Sequence, residues 1–568
     1  MMRQRSVTLP QGRVAKLRPT SPWAVIWTVI AILLQGLLTA PGMADEAKFV
    51  TAKVVSQGVA QQIRVQGSPW TTTSRSLVGS GIGNLLFANK QLGAGDFAVT
   101  VRLQIDQLDK SAASVVLNGS HFGFEGSGGE MFTHGEMFGR HELGPAIVKN
   151  GTAFEVMFRR SDNRLVVEID SQTIRVFDID RATQVTVGLR PHRSIMKVFD
   201  FALAGNLQVP PKPLPHVDVY AKGTGDYHTY RIPAVVITKQ DTLLAFCEGR
   251  KDGSGDAGNI DMLIRRSKDR GATWTTTQVI WSDAANTCGN ACPVVDQETG
   301  TIWLPMTWNL GSDHESQIMK GTSQHPRHVY LTHSNDDGLT WSESKRISIS
   351  TRRDHWRWYA TGPGNAIQLT RGPHKGRLLI PANHSDHADP ARHPYRSHVF
   401  WSDDHGKSWE LGGVHEDRTN ESAVVELSDG SILQSMRSYH NKHNRAHATS
   451  SDGGQTWGPV QLVDALQTPV CQGNILRYSW REDADRGGKS RILYCSPAGQ
   501  GRTHLTIHVS YDEGKTWPVK KLVHAGGSAY SNMVVLPDGK IGILFEKDGY
   551  QTISFTIVTL AWLEDGDA

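Results

Sequence analysis

The chain has 568 residues, more than one ordinary hydrophobic core accommodates, so two or more domains are expected. Its 56 glycines and 16 tryptophans, without a sustained heptad pattern, favour an all-β protein. Residues 1–44 carry five basic residues and no acid, and without them the net charge changes from +4 to −1. The basic character is therefore confined to one end, which argues against nucleic acid as a partner.

Residues 1–44 have the layout of a secretory signal peptide. A basic stretch precedes the apolar run 23–39, and the small residues Gly42 and Ala44 stand just before Asp45. This layout predicts cleavage after Ala44, an exported protein (periplasmic, cell-surface or secreted) and no membrane span in the mature chain. An uncleaved N-terminal anchor is the alternative. The five cysteines are an odd number, so at least one is expected to stay unpaired.

Residues 45–208 are predicted to form a β-sandwich. Alternating apolar stretches such as 97–105 and 164–169 are separated by Gly, Asn and Asp, as in a sheet with one buried face. The proline-rich segment 209–215 is predicted to be a stiff linker. Residues 216–568 follow as a second domain.

Five copies of the pattern S-x-D-x-G-x-(T/S)-W, called Asp boxes below, define the second domain. Their starts are 48 to 68 residues apart, which is the length of one small antiparallel sheet. Asp can accept hydrogen bonds within its turn, Gly supplies a positive φ, and Trp packs the turn against a neighbouring sheet. Each copy is therefore predicted to close a β-hairpin, and the repeated units to form a six-bladed β-propeller. The boxes span residues 267–274, 334–341, 402–409, 450–457 and 510–517.

The run Tyr230-Arg231-Ile232-Pro233, followed by several Asp boxes, resembles the bacterial and animal sialidases (exo-α-neuraminidases). The resemblance covers residues 216–562. It implies a retaining exo-glycosidase that releases terminal α-linked sialic acids from glycoproteins, glycolipids and oligosaccharides, without a cofactor or a metal. It also likens the sandwich to the carbohydrate-binding, lectin-like modules of secreted glycosidases.

The resemblance assigns three arginines to the substrate carboxylate: Arg231, Arg437 and Arg502. It likens Arg250, at the end of the following predicted strand, to a further active-site arginine. Guanidinium stays charged and offers a planar fork of donors, so converging arginines are suited to an anionic sugar.

The catalytic residues implied by the resemblance are Tyr530, Glu421 and Asp256. A carboxylate on the reacting carbon would repel a Glu or Asp nucleophile, and sialidases use tyrosine instead. A free phenol has a pKa of about 10, so Tyr530 needs a base, which the resemblance identifies as Glu421. Asp256 matches the general acid and base on a glycine-rich loop, with Asp252 as the alternative.

One departure concerns the residue before Pro293, where several bacterial relatives have an aspartate lining the sugar pocket. Cys292 stands there and cannot replace a carboxylate acceptor, so Asn290 is a candidate substitute. The histidine-rich loop 383–394 matches no defined metal spacing. Two other functions remain open: a trans-sialidase, which shares the covalent intermediate, and a catalytically silent sialic-acid-binding lectin.

Overall fold

The computed structural model describes residues 50–135, 137–209, 213–389, 392, 394–498 and 501–565. The predicted signal peptide and the middle of the predicted linker lie outside these ranges. The described chain divides into two compact units, one with residues 50–132 and 142–209 and one with residues 133–141 and 213–565. No helix in the described ranges is long and apolar enough to cross a membrane.

Between residues 50 and 209 the described chain has sixteen strands, which form two sheets of antiparallel neighbours. The first sheet has the order β14-β13-β12-β7-β16-β1-β2, with β5 also on β16 and β4 on β5; the second has the order β11-β10-β9-β8-β15-β6-β3. The strands are β1 (Val50–Ser56), β2 (Val59–Ala60), β3 (Ile63–Gln66), β4 (Thr71–Thr72), β5 (Leu77–Ser80), β6 (Leu85–Ala88), β7 (Gln91–Asp106), β8 (Ser114–Leu117), β9 (Ser120–Gly123), β10 (Glu130–His134), β11 (His141–Pro145), β12 (Ala153–Ser161), β13 (Arg164–Ile169), β14 (Gln172–Asp178), β15 (Val187–Arg190) and β16 (Ile195–Gln208).

The predicted stretches 97–105 and 164–169 are strands β7 and β13, which confirms both. Every second residue of β7 from Phe97 to Ile105 is buried, the pattern of a strand with one face on a core. Rings of the two sheets meet there: Phe122 of β9 and Phe158 of β12 have centroids 5.6 Å apart, in an edge-to-face arrangement.

The remaining strands and the helices follow residue 213. The strands are β17 (His216–Ala221), β18 (Thr229–Ile237), β19 (Leu243–Arg250), β20 (Ile260–Ser267), β21 (Gln278–Trp281), β22 (Thr287–Gly289), β23 (Val294–Val295), β24 (Ile302–Asn309), β25 (His328–Ser334), β26 (Lys345–Arg346), β27 (Trp356–Thr361), β28 (Ile367–Gln368), β29 (Leu378–Asp386), β30 (Tyr395–Ser402), β31 (Glu410–Val414), β32 (Thr419–Glu426), β33 (Ile432–Ser438), β34 (Asn444–Ser450), β35 (Gln461–Gln467), β36 (Asn474–Ser479), β37 (Arg491–Pro497), β38 (Thr503–Ser510), β39 (Val519–Val535), β40 (Ile541–Lys547) and β41 (Thr552–Val558). The helices are α1 (Glu315–Lys320), α2 (Ser348–Thr351), α3 (Leu560–Glu564) and a 3-10 turn, Ala484–Arg486.

The prediction of an all-β protein is confirmed, since strands dominate both units. Successive strands of the second unit pair antiparallel in groups: β18 to β21, β22 to β26, β27 to β31, β32 to β35 and β36 to β39. A single parallel pair between β20 and β22 joins the first two groups into one sheet. A further group consists of the second half of β39, then β40, β41 and β17. The long strand β39 therefore serves two groups, and the first strand of the unit completes the last one.

Every Asp box lies between two paired strands, so the predicted hairpins are confirmed. In the first box, Asp269 accepts from the Thr273 amide at 2.9 Å and from the Thr273 hydroxyl, and the Gly271 amide donates to Ser267 at 2.8 Å. Gly271 has a φ of 87°, which L side chains rarely adopt. Trp274 packs on Phe555 of a neighbouring group, with ring centroids 5.5 Å apart.

The first strands of the groups meet through buried asparagines. Asn532 on β39 accepts from the Val235 amide of β18 at 2.7 Å, and Asn474 on β36 accepts from the Met533 amide at 2.9 Å. The side-chain amides of Asn532 and Asn474 both donate to Asn365 Oδ1, at 2.8 and 2.9 Å. Because Asn365 lies between β27 and β28, this network connects four of the groups.

Strands β18, β32 and β39 share an irregularity at the places where the site residues stand. Pairing register shifts between Arg231 and Ala234, between Thr419 and Ser422, and between Ser528 and Ser531. In β18 the cause is local, because Pro233 has no amide to donate and Ile232 has a φ of 59°. Such bulges turn a side chain away from its regular direction, and here they present Arg231, Glu421 and Tyr530.

All five cysteines are buried free thiols, so the expected unpaired cysteine is confirmed.

Candidate active site

Tyr530 and Glu421 form the centre of the site. The Tyr530 hydroxyl donates to Glu421 Oε1 at 2.5 Å, and both residues are buried. Arg437 Nη1 donates to Glu421 Oε2 at 2.7 Å and to the Tyr530 hydroxyl oxygen at 3.2 Å. The three side chains come from β39, β32 and β33, and the sequence analysis named all three.

The electrostatics of this triad keep the phenol of Tyr530 protonated. Burial, followed by the negative charge of Glu421, raises the pKa of Tyr530 far above its usual range, although Arg437 opposes the shift. Burial alone would lower the pKa of Arg437. The negative charge of Glu421 more than outweighs this effect, so the pKa is raised and the guanidinium keeps its charge. Tyr530 is therefore a neutral donor whose proton already points at its base.

Arg231 is fixed by a carboxylate that the sequence analysis did not identify. Glu546 accepts from Arg231 Nε at 2.7 Å and Nη2 at 3.3 Å, and from the amides of Ile232 at 2.9 Å and Tyr530 at 3.0 Å. Glu546 is 1% exposed. One buried carboxylate on β40 thus holds both the arginine and the tyrosine backbone, and Arg231 Nη1 makes no hydrogen bond to it.

Arg502 also lies beside the Tyr530 ring. Its Nη1 donates to the Tyr550 hydroxyl at 3.0 Å and its Nη2 to the Val470 carbonyl at 3.4 Å. The guanidinium carbon is 5.6 Å from the centre of the Tyr530 ring, and that of Arg231 is 5.5 Å from it. The structure therefore brings Arg231, Arg437 and Arg502 together around one tyrosine.

Asp256 stands at the edge of this cluster, on the loop between β19 and β20. Its Oδ1 is 2.7 Å from Arg250 Nη1 and 3.9 Å from Arg231 Nη1, and its side chain is 64% exposed. Arg250 is itself held by Glu248, with contacts of 3.0 and 2.6 Å to Glu248 Oε2. Asp252, the alternative acid, is exposed.

The pKa of the Asp256 carboxyl lies below its usual value. Burial raises this pKa, but the charges of Arg250 and Arg231 and the hydrogen bond from Arg250 outweigh that effect. The two arginines thus hold Asp256 as a carboxylate at neutral pH. A bound anion beside Arg231 would weaken this effect and favour the protonated form.

Several residues around the site gave no signal in the sequence. Glu546, Glu248 and Tyr550 lie in or beside ordinary strands, where a buried acid or tyrosine cannot be told from a surface one. Glu315 on α1 accepts from the Tyr395 hydroxyl, and Tyr395 stacks on Tyr439 at 5.5 Å between centroids. Burial raises the pKa of Glu315.

Cys292 brings no polar group to the site, while Asn290 stands beside Glu248. Cys292 is fully buried in an apolar cluster with Trp356, so it belongs to the core. Asn290 Oδ1 accepts a hydrogen bond from the Thr307 hydroxyl at 3.2 Å. The backbone N–H of Asn290 donates to Glu248 Oε1 at 2.8 Å. Asn290 therefore helps to position Glu248, and its side chain is engaged with Thr307.

In the described part of the histidine-rich loop, His384 packs inside the protein. His384 stacks on Trp356 with centroids 3.4 Å apart, and its Nδ1 is 3.0 Å from His398 Nδ1. No cluster of three potential ligands for a metal occurs in the described ranges.

Comparison with known proteins places this chain in a family. Residues 241–543 match the BNR repeat-like domain. The sialidase of Micromonospora viridifaciens is 33% identical over 356 residues, covering 61% of this chain and 54% of that protein. The exo-alpha-sialidase of Aspergillus fumigatus is 30% identical over 387 residues, covering 61% of this chain and 88% of that protein.

Solved structures share the fold. The Hadza microbial sialidase Hz136 superimposes with a TM-score of 0.54 at 22% identity, covering 83% of this chain and 96% of that structure. Together with the matches in sequence, this shows that the chain belongs to the sialidase family of enzymes.

Proposed function

We propose that the protein hydrolyses terminal α-linked sialic acids on glycoconjugates, with retention of configuration, through a covalent intermediate on Tyr530. The observation that carries this proposal is the 2.5 Å hydrogen bond from Tyr530 to Glu421, with Arg437 bridging both. The exo-alpha-sialidase relatives support the substrate class.

Recognition of the substrate carboxylate uses the arginine N–H groups that acceptors of the protein itself do not take. Arg231 presents Nη1, since Glu546 takes Nε and Nη2. Arg502 makes only a bond to a neutral phenol and a long one to a carbonyl. An anionic sugar thus meets charged donors at Arg231, Arg437 and Arg502, already oriented by the protein.

In the first chemical step, the Tyr530 oxygen attacks the anomeric carbon and its proton passes to Glu421. The glycosidic bond breaks, and protonated Asp256 gives its proton to the leaving oxygen. Arg437 contacts both oxygens and stabilises the negative charge as it moves from Glu421 to the phenolic oxygen. A neutral nucleophile avoids repulsion by the substrate carboxylate.

In the second step, Asp256 takes a proton from water, which attacks the same carbon. The bond to Tyr530 breaks, and the phenolate recovers its proton from Glu421. Two displacements at one carbon return the original configuration, and each carboxyl ends in its starting protonation state.

The same proposal extends to architecture and location. The antiparallel groups of the second unit, and box tryptophans such as Trp274 that pack on a neighbouring group, support a six-bladed propeller over residues 216–568. Ring contacts between the two sheets of the first unit support a β-sandwich. Export rests on the leader alone.

The decisive test is Tyr530→Phe. The variant should keep its fold and lose at least about 10²-fold in turnover of sialyllactose. A 2,3-difluorosialic acid probe slows release from the enzyme, so mass spectrometry of the wild type should locate the added sugar on the Tyr530 peptide. Turnover of Tyr530→Phe within threefold of wild type, or label on another residue, would contradict the mechanism.

Further measurements distinguish hydrolysis from the alternative functions, transfer and binding alone. Adding excess lactose as an acceptor distinguishes transfer from hydrolysis, because a trans-sialidase forms new sialyllactose instead of free sialic acid. NMR spectroscopy that identifies which anomer of the sugar is released first tests whether the configuration is retained. Binding of sialosides without any release would instead identify a lectin.

A further inference from the structure

Arg327 is a buried arginine without a polar partner. It directly precedes β25 and is 3% exposed. Its Nε makes no hydrogen bond, and the structure gives its side chain no ion pair. Its guanidinium carbon lies 4.2 Å from the centre of the Trp358 ring. Stacking compensates one face of the guanidinium, but its N–H groups remain unpaired.

The other buried arginines of the described ranges all have polar partners. Arg377 is the closest match, since it is also buried and stacks on a tryptophan, Trp401, at 4.3 Å. Unlike Arg327, it donates to both oxygens of Asp403, at 2.7 and 2.6 Å, and to the Gly453 carbonyl at 2.7 Å. An unpaired buried charge is costly, so its presence at Arg327 calls for a function.

Arg327 lies beside the active site, on the side of Glu248. A Cβ on Gly289 would stand 2.4 Å from Glu248 Oε1 and 3.3 Å from Arg327 Nη2. Glu248 in turn holds Arg250, which contacts Asp256. The unpaired guanidinium therefore belongs to the wall next to Asp256 and not to the carboxylate-binding end near Arg437 and Arg502.

We propose that Arg327 is a specificity-determining residue that donates to a neutral oxygen on the ring edge of the sugar remote from its carboxylate, carried by C4 or C5. The inference rests on the proposed function. With the carboxylate at the three arginines and the leaving oxygen at Asp256, the C4 and C5 substituents are the groups that extend past Asp256 towards this wall.

The surrounding charges indicate a neutral acceptor. Burial lowers the pKa of Arg327 to about 10. The nearby negative charges of Glu248, Glu315 and Asp256 act in the opposite direction. A second anionic group on the sugar would be repelled by those carboxylates. A hydroxyl or an amide carbonyl, in contrast, satisfies the guanidinium without adding charge.

The test combines a variant with altered substrates. Arg327→Gln should lower kcat/KM on an N-acetyl aryl sialoside by about 10- to 100-fold, chiefly through KM. Wild type should show a similar loss on one of two analogues, the 4-deoxy or the 5-deoxy sialoside. On that analogue, Arg327→Gln should cost less than about threefold, because the contact is already absent.

A matched control is Arg265→Gln, which removes an arginine that stacks on Tyr220 at 4.9 Å outside this wall. It should leave kcat/KM unchanged. Arg327→Lys keeps the charge and should recover part of the activity even if the glutamine variant folds poorly.

Equal losses for Arg327→Gln on all three substrates would show a structural role and overturn the inference. So would unchanged activity of Arg327→Gln on the parent sialoside, or a wild type indifferent to both deoxy changes. A wild type that cleaves no sialoside would instead refute the proposed function itself.

Discussion

Replacing Glu546 by glutamine tests whether one buried carboxylate organises the site. The side chain is 1% exposed and accepts four hydrogen bonds, two from Arg231 and one each from the amides of Ile232 and Tyr530. Glutamine has nearly the same shape but one acceptor oxygen fewer. Its NH₂ group must face two of these donors, whichever way the amide is turned.

The expected cost follows from those contacts. Two of the four hydrogen bonds disappear, and the Arg231 guanidinium loses its counter-charge inside the protein. Removing one partner of a buried ion pair costs about 3–5 kcal/mol, because the other charge stays buried. A loss of that size should lower the unfolding temperature by roughly 5–10 °C.

Activity should fall together with stability, because Arg231 and the Tyr530 backbone both lose their anchor. The assay is thermal unfolding, with and without an unsaturated, flattened sialic-acid analogue, together with kcat/KM on an aryl sialoside. We expect Glu546→Gln to weaken the analogue at least about tenfold, which a remote destabilisation would not do.

Glu426 offers the matched control. It is 4% exposed and accepts from the Thr370 and Arg371 amides and the Thr370 hydroxyl. Glu426→Gln should destabilise the fold yet leave affinity for the analogue unchanged. If Glu546→Gln bound the analogue as tightly as Glu426→Gln does, the anchoring role of Glu546 would be refuted.

Arg437→Ala and Arg502→Ala should each weaken the flattened analogue and the substrate together; equal inhibition of both variants and wild type would exclude them from the site. Asp256→Asn should impair sialyllactose far more than an activated aryl sialoside, while Asp252→Asn stays near wild type; the reverse result would make Asp252 the acid. Stability should fall as pH drops from about 6.5 towards 4, because burial lowers the pKa of several histidines, His415 among them to about 4, and only the unfolded chain takes up those protons. His415→Gln should flatten that decline in melting curves; an unchanged slope would show that other groups cause it.

The all-β class and the hairpins could be predicted because their signals are local. An Asp box carries its own turn chemistry: Ser267, Asp269 and Thr273 bond within eight residues, whatever surrounds them. The same holds for alternating strands such as β7, whose burial follows its apolar residues. Such features do not depend on which distant segment is the neighbour.

The candidate residues named from the sequence were those with a motif around them. Glu546 had none, because its function depends on Arg231, more than 300 positions earlier in the chain. Nothing near residue 546 distinguishes a carboxylate that holds an arginine from one facing solvent. Arg327 is harder still to predict from the sequence. Its distinguishing feature is that its side chain lacks a polar partner, and only the assembled structure shows that.

The protonation states that the protein alone gives Tyr530 and Asp256 differ from those that the reaction needs. Tyr530 is held neutral and Asp256 ionised, whereas the reaction needs a nucleophilic phenol and a protonated acid. The substrate supplies the difference. Its carboxylate partly neutralises Arg231, the second of the two arginines after Arg250 whose charges lower the pKa of Asp256, and so favours protonation of Asp256. Glu421 takes the Tyr530 proton only as the phenol attacks. The site therefore becomes competent when an anionic sugar fills it, and a neutral sugar of the same shape should not activate it.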